Sequence, residues 1–157
     1  MPRVLLDTQA FYDYVRNFNG MMKSAQNTIR TAEEAGELAV SIVSVLELRE
    51  MRNSNQLPAN RIEELDDFLA RIPGRVVVIP VVLEIVQAMD RFDHSLSVPD
   101  RLIAATAKHG NLTLMTDRDV FDPTEVHVEP TRRERHVVRT HGATPDVGGA
   151  AGNGAAE

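Results

Sequence analysis

The sequence predicts an α/β fold, a mainly parallel central sheet with helices on both faces. Three observations carry the prediction. Short apolar runs, Val4-Leu5-Leu6, Val76-Val77-Val78-Ile79 and Leu112-Thr113-Leu114-Met115, recur along the chain, segments with a 3.6-residue apolar period separate them, and Gly or Pro marks the joins. The 157 residues suffice for one domain that buries roughly two-thirds of its unfolded surface without disulfide or metal staples.

Residues 3–7 read as a short buried strand. Residues 10–18 follow as a helix, with Ala10, Phe11, Tyr14, Val15 and Phe18 on the helical period and Gly20 ending it. Residues 21–35 form a polar helix with a thin stripe of Met21, Met22, Ala25, Ile29 and Ala32, closed by Gly36. The first two helices are therefore expected to make an exposed hairpin. Ser41 or Ser44 caps a third helix running to about Arg52, and 53–58 is a loop. Asn60 caps a fourth helix through Leu69, Pro73-Gly74 breaks it, and the β-branched run over 75–79 is expected as a central parallel strand. A helical period resumes over 81–92. Val98-Pro99-Asp100 opens a helix with Pro near its first position, which ends at Gly110 after Lys108-His109, cations suited to the helix dipole. Residues 112–116 form the next strand and 126–128 a short last one.

Composition removes several function classes. With no cysteine, disulfides, zinc–thiolate sites and cysteine nucleophiles are excluded. No apolar run approaches the roughly 18 residues that span a bilayer, and Met1-Pro2-Arg3 leads straight into a strand, so no membrane role and a cytoplasmic location are expected. The formal net charge of −6 argues against a broad electropositive surface, so a nucleic-acid substrate needs a local basic patch, metal bridging or both. The expected organisation is a folded domain over 1–130, a basic extension over 131–141 and a tail over 142–157. The extension sets Arg132, Arg133, Arg135 and Arg139 against Glu134 alone, and the Gly- and Ala-rich tail has too little to bury to order itself.

Four acids stand where a fold does not normally leave charge unpaired. Asp7 closes Val4-Leu5-Leu6, Glu47 lies inside Val43-Ser44-Val45-Leu46-Glu47-Leu48, Asp100 opens Leu102-Ile103-Ala104-Ala105, and Asp117 closes the strand over 112–116. Each has an ordinary explanation as well: Asp7 as a helix cap, Asp117 as a turn residue, Asp100 on a helix dipole, Glu47 paired with an arginine. Jointly these are harder to sustain. Four acids gathered at one sheet edge repel by roughly 3 kcal/mol per close pair at an effective dielectric near 20, and a cation removes that cost. Strand ends of this kind of sheet are also where ligands bind.

Oxygen donors without cysteine suit Mg²⁺ or Mn²⁺, and the five histidines supply no helical His-x-x-x-His pair. Such a site supports phosphodiester hydrolysis. Asp7 and Asp117 are expected to bind the principal ion, with Glu47 and Asp100 completing its surroundings and orienting the attacking water. Thr116 donates to a carboxylate or to the scissile phosphate, or is an ordinary β-branched strand residue.

The segments Arg3-Val4-Leu5-Leu6-Asp7-Thr8, Ser44-Val45-Leu46-Glu47-Leu48, Val98-Pro99-Asp100-Arg101-Leu102-Ile103-Ala104-Ala105 and Leu114-Met115-Thr116-Asp117-Arg118-Asp119-Val120-Phe121 resemble, in order, the four acidic blocks of PIN-domain ribonucleases. The likeness spans about residues 3–129 and is nearest to the VapC toxins of type II toxin-antitoxin pairs. It implies a PIN-like three-layer sandwich and a metal-dependent endoribonuclease that cuts RNA and inhibits translation or growth. It also implies a homodimer held inactive by a VapB-type antitoxin. Many relatives read Thr-x-Asp in the last block where this chain reads Thr116-Asp117-Arg118-Asp119, so the ligand is placed at Asp117 with Asp119 as a second acid or substitute.

Arg49, Arg52, Arg101 and Arg118 adjoin the acidic blocks and are candidates for the substrate backbone, since arginine grips phosphate bidentately, or else they neutralise the acids. The arginines after Glu129 contact RNA phosphate, join partner contacts or keep the tail soluble. A haloacid-dehalogenase phosphatase needs Asp-x-Asp where Asp7-Thr8-Gln9 stands, and a phosphorelay receiver needs an acidic pair there. The remaining alternative is a catalytically silent PIN-like module that binds RNA or a partner.

Overall fold

The computed structural model describes residues 1–71 and 75–133. The elements run β1 (Val4–Leu6), α1 (Thr8–Val15), α2 (Lys23–Glu34), β2 (Leu38–Ser41), α3 (Ile42–Asn53), α4 (Ala59–Arg71), β3 (Val77–Ile79), α5 (Leu83–Ala88), a 3₁₀ turn (Met89–Arg91), α6 (Val98–Gly110), β4 (Thr113–Thr116) and β5 (Val128–Pro130). The strands form one sheet in the order β3-β2-β1-β4-β5, with every neighbouring pair parallel.

Helices cover both faces, giving the three layers the sequence predicts. Because side chains alternate along a strand, β1 sends Val4 and Leu6 to one side and Leu5 to the other. The first side packs against Phe11 and Tyr14 of α1, Ala25 and Ile29 of α2, Leu48 of α3 and Leu65 of α4. The second packs against Ile103, Ala104 and Ala107 of α6, Ile85 of α5, Phe92 and Phe121. Burial on two faces explains why β1 reads as an uninterrupted apolar run.

Four readings change. Residues 38–41 carry no separate strand signal in the sequence, yet β2 lies beside β1 at the centre of the sheet and all four of its residues are buried. Its short run flows into α3 without a Gly or Pro to separate strand from helix. The strand read as central, β3, is instead an edge, with Val77 exposed; a β-branched run has the same composition in either place. The helical hairpin is not an exposed excursion, since Ala25, Ile29 and Ala32 are buried against the sheet. The helical stretch over 81–92 divides into α5 and the 3₁₀ turn.

Two helix starts follow the sequence signals, whereas Asn60, expected to cap the fourth helix, lies within α4, which already begins at Ala59. Ser41 caps α3 by accepting from Val43 N, and Ser97 caps α6 by accepting from Asp100 N. α2 ends in a Schellman arrangement: Glu37 N–H donates to Ala32 O and Gly36 N–H to Glu33 O, with Gly36 at φ +70°. A Cβ at Gly36 meets no atom within 4 Å, so Gly36→Ala is expected to cost only the left-handed backbone penalty, about 1 kcal/mol. Urea unfolding measures it, and no loss would show that the turn tolerates a side chain. α6 ends at Gly110, as the sequence predicts, and Asn111 caps it at φ +50°. The expected break at Pro73-Gly74 and the parts of the basic extension and tail from residue 134 onward lie outside the described residues. Among the described residues no helix is long and apolar enough to cross a membrane.

Candidate active site

The carboxyl ends of β1 and β4 and the first turns of α1 and α6 meet at one edge of the sheet. Asp7 follows β1 and performs two tasks. One oxygen, Oδ1, accepts from Ala10 N at 2.8 Å and caps α1, so the cap reading is correct. The carboxylate also faces a cleft of 180 Å³, lined by Asp7, Thr8, Gln9, Glu47, Asp100 and Arg118. Three of the four singled-out acids thus share one depression.

Burial governs the electrostatics. Desolvation pushes Asp7 up to about 6, and the nearby Asp117 charge raises it further, while hydrogen bonds from Thr116 and Ala10 and the charge of Arg118 pull it down. A carboxylate held in this way favours either a proton or a cation. Glu47 arrives from α3, where its Oε1 accepts from Thr8 Oγ1 at 2.6 Å. Ser44 Oγ stands 3.0 Å from the same hydroxyl; since Thr8 has one hydrogen to give, Ser44 donates there. Thr8 therefore fastens α1 to α3 and aims Glu47. Asp100, buried in the first turn of α6, accepts from Arg118 Nη1 at 2.7 Å.

Arg118 supplies the positive charge the acids require. Its hydrogen bond and charge contact with Asp100 raise the guanidinium above its ordinary value, and its backbone N–H donates to Thr116 Oγ1 at 3.1 Å. Thr116, with its hydroxyl between Asp7 and the Arg118 backbone, supports the acids from inside the sheet. Asp117 directly follows β4, just before Arg118, and opens, with Asp119, onto an adjoining groove of 530 Å³. Asp119 is exposed.

Three other arginines expected to contact substrate point elsewhere. Arg49 and Arg52 pair with Asp66 of α4 at 3.7 and 2.6 Å, and Arg101 turns its Nη1 to His94 Nδ1 at 3.3 Å. One buried acid was overlooked. Asp13 on α1 is only 1% exposed and is paired with Arg132 at 2.6 Å. Its signal was present, for Asp13 lies three residues after Ala10 and next to Tyr14, on the apolar stripe of the helix.

The donor set fits a hard divalent ion in chemistry: three carboxylates on one cleft, one of them desolvated, with a guanidinium lying among them. As placed, no three acidic or histidine side chains among the described residues converge on a single point that would hold a metal. Arg118 sits on Asp100 where an ion between the acids would require room.

An all-parallel α/β sandwich with a carboxylate-lined cleft at its strand ends defines a small class of proteins. The PIN domain model matches residues 4–123, and the chain belongs to that family. Among curated proteins no sequence matches it. Solved structures with the same fold include VapBC2 from Rickettsia felis bound to a DNA fragment from their promoter, at TM-score 0.62 and 18% identity over 81% of this chain and 97% of that one. FitAcB from Neisseria gonorrhoeae aligns at TM-score 0.58 and 21% identity, covering 80% and 95% of the two chains. A toxin-antitoxin complex from Klebsiella pneumoniae aligns at 0.50 and 21%, covering 73% and 86%.

Proposed function

We propose that this PIN domain is a metal-dependent endoribonuclease that hydrolyses RNA phosphodiester bonds and acts as the VapC-type toxin of a toxin-antitoxin pair. The observation that carries the reading is the cleft uniting Asp7, Glu47 and Asp100, with a desolvated carboxylate at its base. A Mg²⁺ or Mn²⁺ ion held there would supply Lewis-acid polarisation of the phosphoryl group and a more acidic bound water. Asp7 and Asp100 are its principal holders from the cleft, and Asp117 approaches from the β4 end, with Asp119 in reserve.

The chain's own residues supply the rest. Glu47, aimed by Thr8, orients the attacking water and receives its proton. Arg118, which rests on Asp100, is the guanidinium beside the acids that would take the non-bridging phosphate oxygens bidentately. Thr116 keeps Asp7 directed at the reacting centre. The proposed partners are RNA, a VapB-type antitoxin and a second copy of the chain. The named company of the relatives supports the antitoxin, and the exposed Leu83 and Val86 of α5 and Ile42 and Leu46 of α3 offer apolar surface for a partner.

Incubating the full chain with a single-stranded RNA and millimolar Mg²⁺ or Mn²⁺ is expected to give internal cuts that a chelator stops and re-added ion restores. Cleavage unaffected by chelator would remove the metal. An RNA bound but never cut would favour the silent module.

A further inference from the structure

The pair formed by Asp13 and Arg132 plays no part in the mechanism above, yet it is the best-buried ion pair at this end of the sheet. Asp13 receives two donors, Gln9 Nε2 at 2.9 Å and Arg132 Nη2 at 2.6 Å. Arg132 reaches it from 119 residues further along the chain. Thr131 N–H donates to Thr116 O at 3.0 Å, extending the β4–β5 pairing, and Thr131 O accepts from Met22 N at 2.9 Å. The segment following β5 is thereby tied to β4 on one side and to the start of α2 on the other. Thr131 is completely buried.

The other side of the guanidinium faces the site. Arg132 Nε is buried without a hydrogen-bond partner, and Asp117 Oδ2 lies 3.8 Å from it. A buried donor with an acid just beyond bonding distance favours movement of that acid toward it. Gln9, which lines the acidic cleft, completes the chain of contacts through its bond to Asp13. The matched family region ends at residue 123, so Arg132 joins the link from beyond it.

We propose that Arg132, anchored on Asp13, is a positioning residue for Asp117, fixing that carboxylate at the mouth of the cleft so that it approaches the metal held by Asp7 and Asp100. The proposal rests on the nuclease reading. Asp13 balances the charge of Arg132, so the pair acts through geometry and not through its field. Lysine keeps the charge but has no second nitrogen on a planar fork, and it cannot serve both acids.

The test uses the full chain, Mn²⁺ titrated calorimetrically, and kcat and KM on one RNA oligonucleotide. Arg132→Met leaves Asp13 buried and unpaired and risks unfolding, so a double variant, Asp13→Leu with Arg132→Met, removes both charges together. The double variant is expected to lose about tenfold or more in Mn²⁺ affinity and in kcat, the usual effect of losing a group that orients a ligand, with KM little changed. Arg132→Lys is expected to unfold at the wild-type temperature while keeping most of the Mn²⁺ defect. Wild-type Mn²⁺ affinity and kcat in the double variant overturn the proposal and make the pair a structural clamp only. Full rescue by lysine overturns it also. A wild-type chain that neither binds Mn²⁺ nor cuts RNA overturns the nuclease reading itself and takes this role with it.

Discussion

Asp7→Asn is expected to abolish RNA cleavage and, in chelator at pH 7.5, to make the protein more stable than the wild type. Asparagine keeps an oxygen for the bond from Ala10 N, so the α1 cap survives. What disappears is a charge that burial has made costly. The carboxyl pKa rises from 3.8 to about 6 on folding, which corresponds to about 3 kcal/mol at most. The folded state therefore binds more protons than the unfolded chain between about pH 4 and 6, and wild-type stability falls as pH rises through that window. Above pH 6 the whole cost is present; below pH 4 it vanishes. The stability gained by the variant is accordingly expected to be largest at pH 7.5 and to close by pH 4, as followed by urea unfolding. A variant less stable at every pH would show that the charge is already compensated, and one that still cuts RNA would remove Asp7 from the site.

The second large effect separates two neighbouring acids. Asp117 directly follows β4, is coupled electrostatically to Asp7 and Arg118, and lies beside Arg132. Asp119 lies two residues further along, exposed and without a described ion pair. Asp117→Asn is expected to lower the cleavage rate by about a hundredfold, on the scale of losing one preorganised electrostatic contact to the reacting groups. Asp119→Asn is expected to change it by no more than about threefold, since among the described residues Asp119 lacks the charge contacts with Asp7, Arg118 and Arg132 that Asp117 makes. Initial rates on one RNA at saturating Mn²⁺ decide the matter. Equal mild losses would refute the assignment, and a dominant loss at position 119 would transfer the ligand to it.

The acids were legible because each interrupts an apolar run, and a run of that kind fixes both strand and burial. Asp7 after Val4-Leu5-Leu6 announces a strand end, and Pro99-Asp100 announces a helix start; both were found where expected. β2 escaped because Leu38 to Ile42 passes from strand to helix through apolar residues, leaving only Ser41 as a boundary signal. Sheet order was out of reach as well, since neither β2 nor β3 carries a local mark of its neighbours. The Asp13–Arg132 pair joins residues 119 apart, and nothing within either segment names its partner. Arg118 shows the limit from another direction: sequence placed it beside the acids but left open whether it served substrate or carboxylate, and only geometry shows it resting on Asp100.

The position of β1 between β2 and β4 carries a consequence for synthesis. β1 leaves the ribosome more than a hundred residues ahead of its neighbour β4, and Thr116, which steadies Asp7, comes with that neighbour. A nascent or stalled polypeptide lacking β4 cannot assemble the cleft. A translating cell is thus shielded from the proposed activity until nearly all of the sheet has been made.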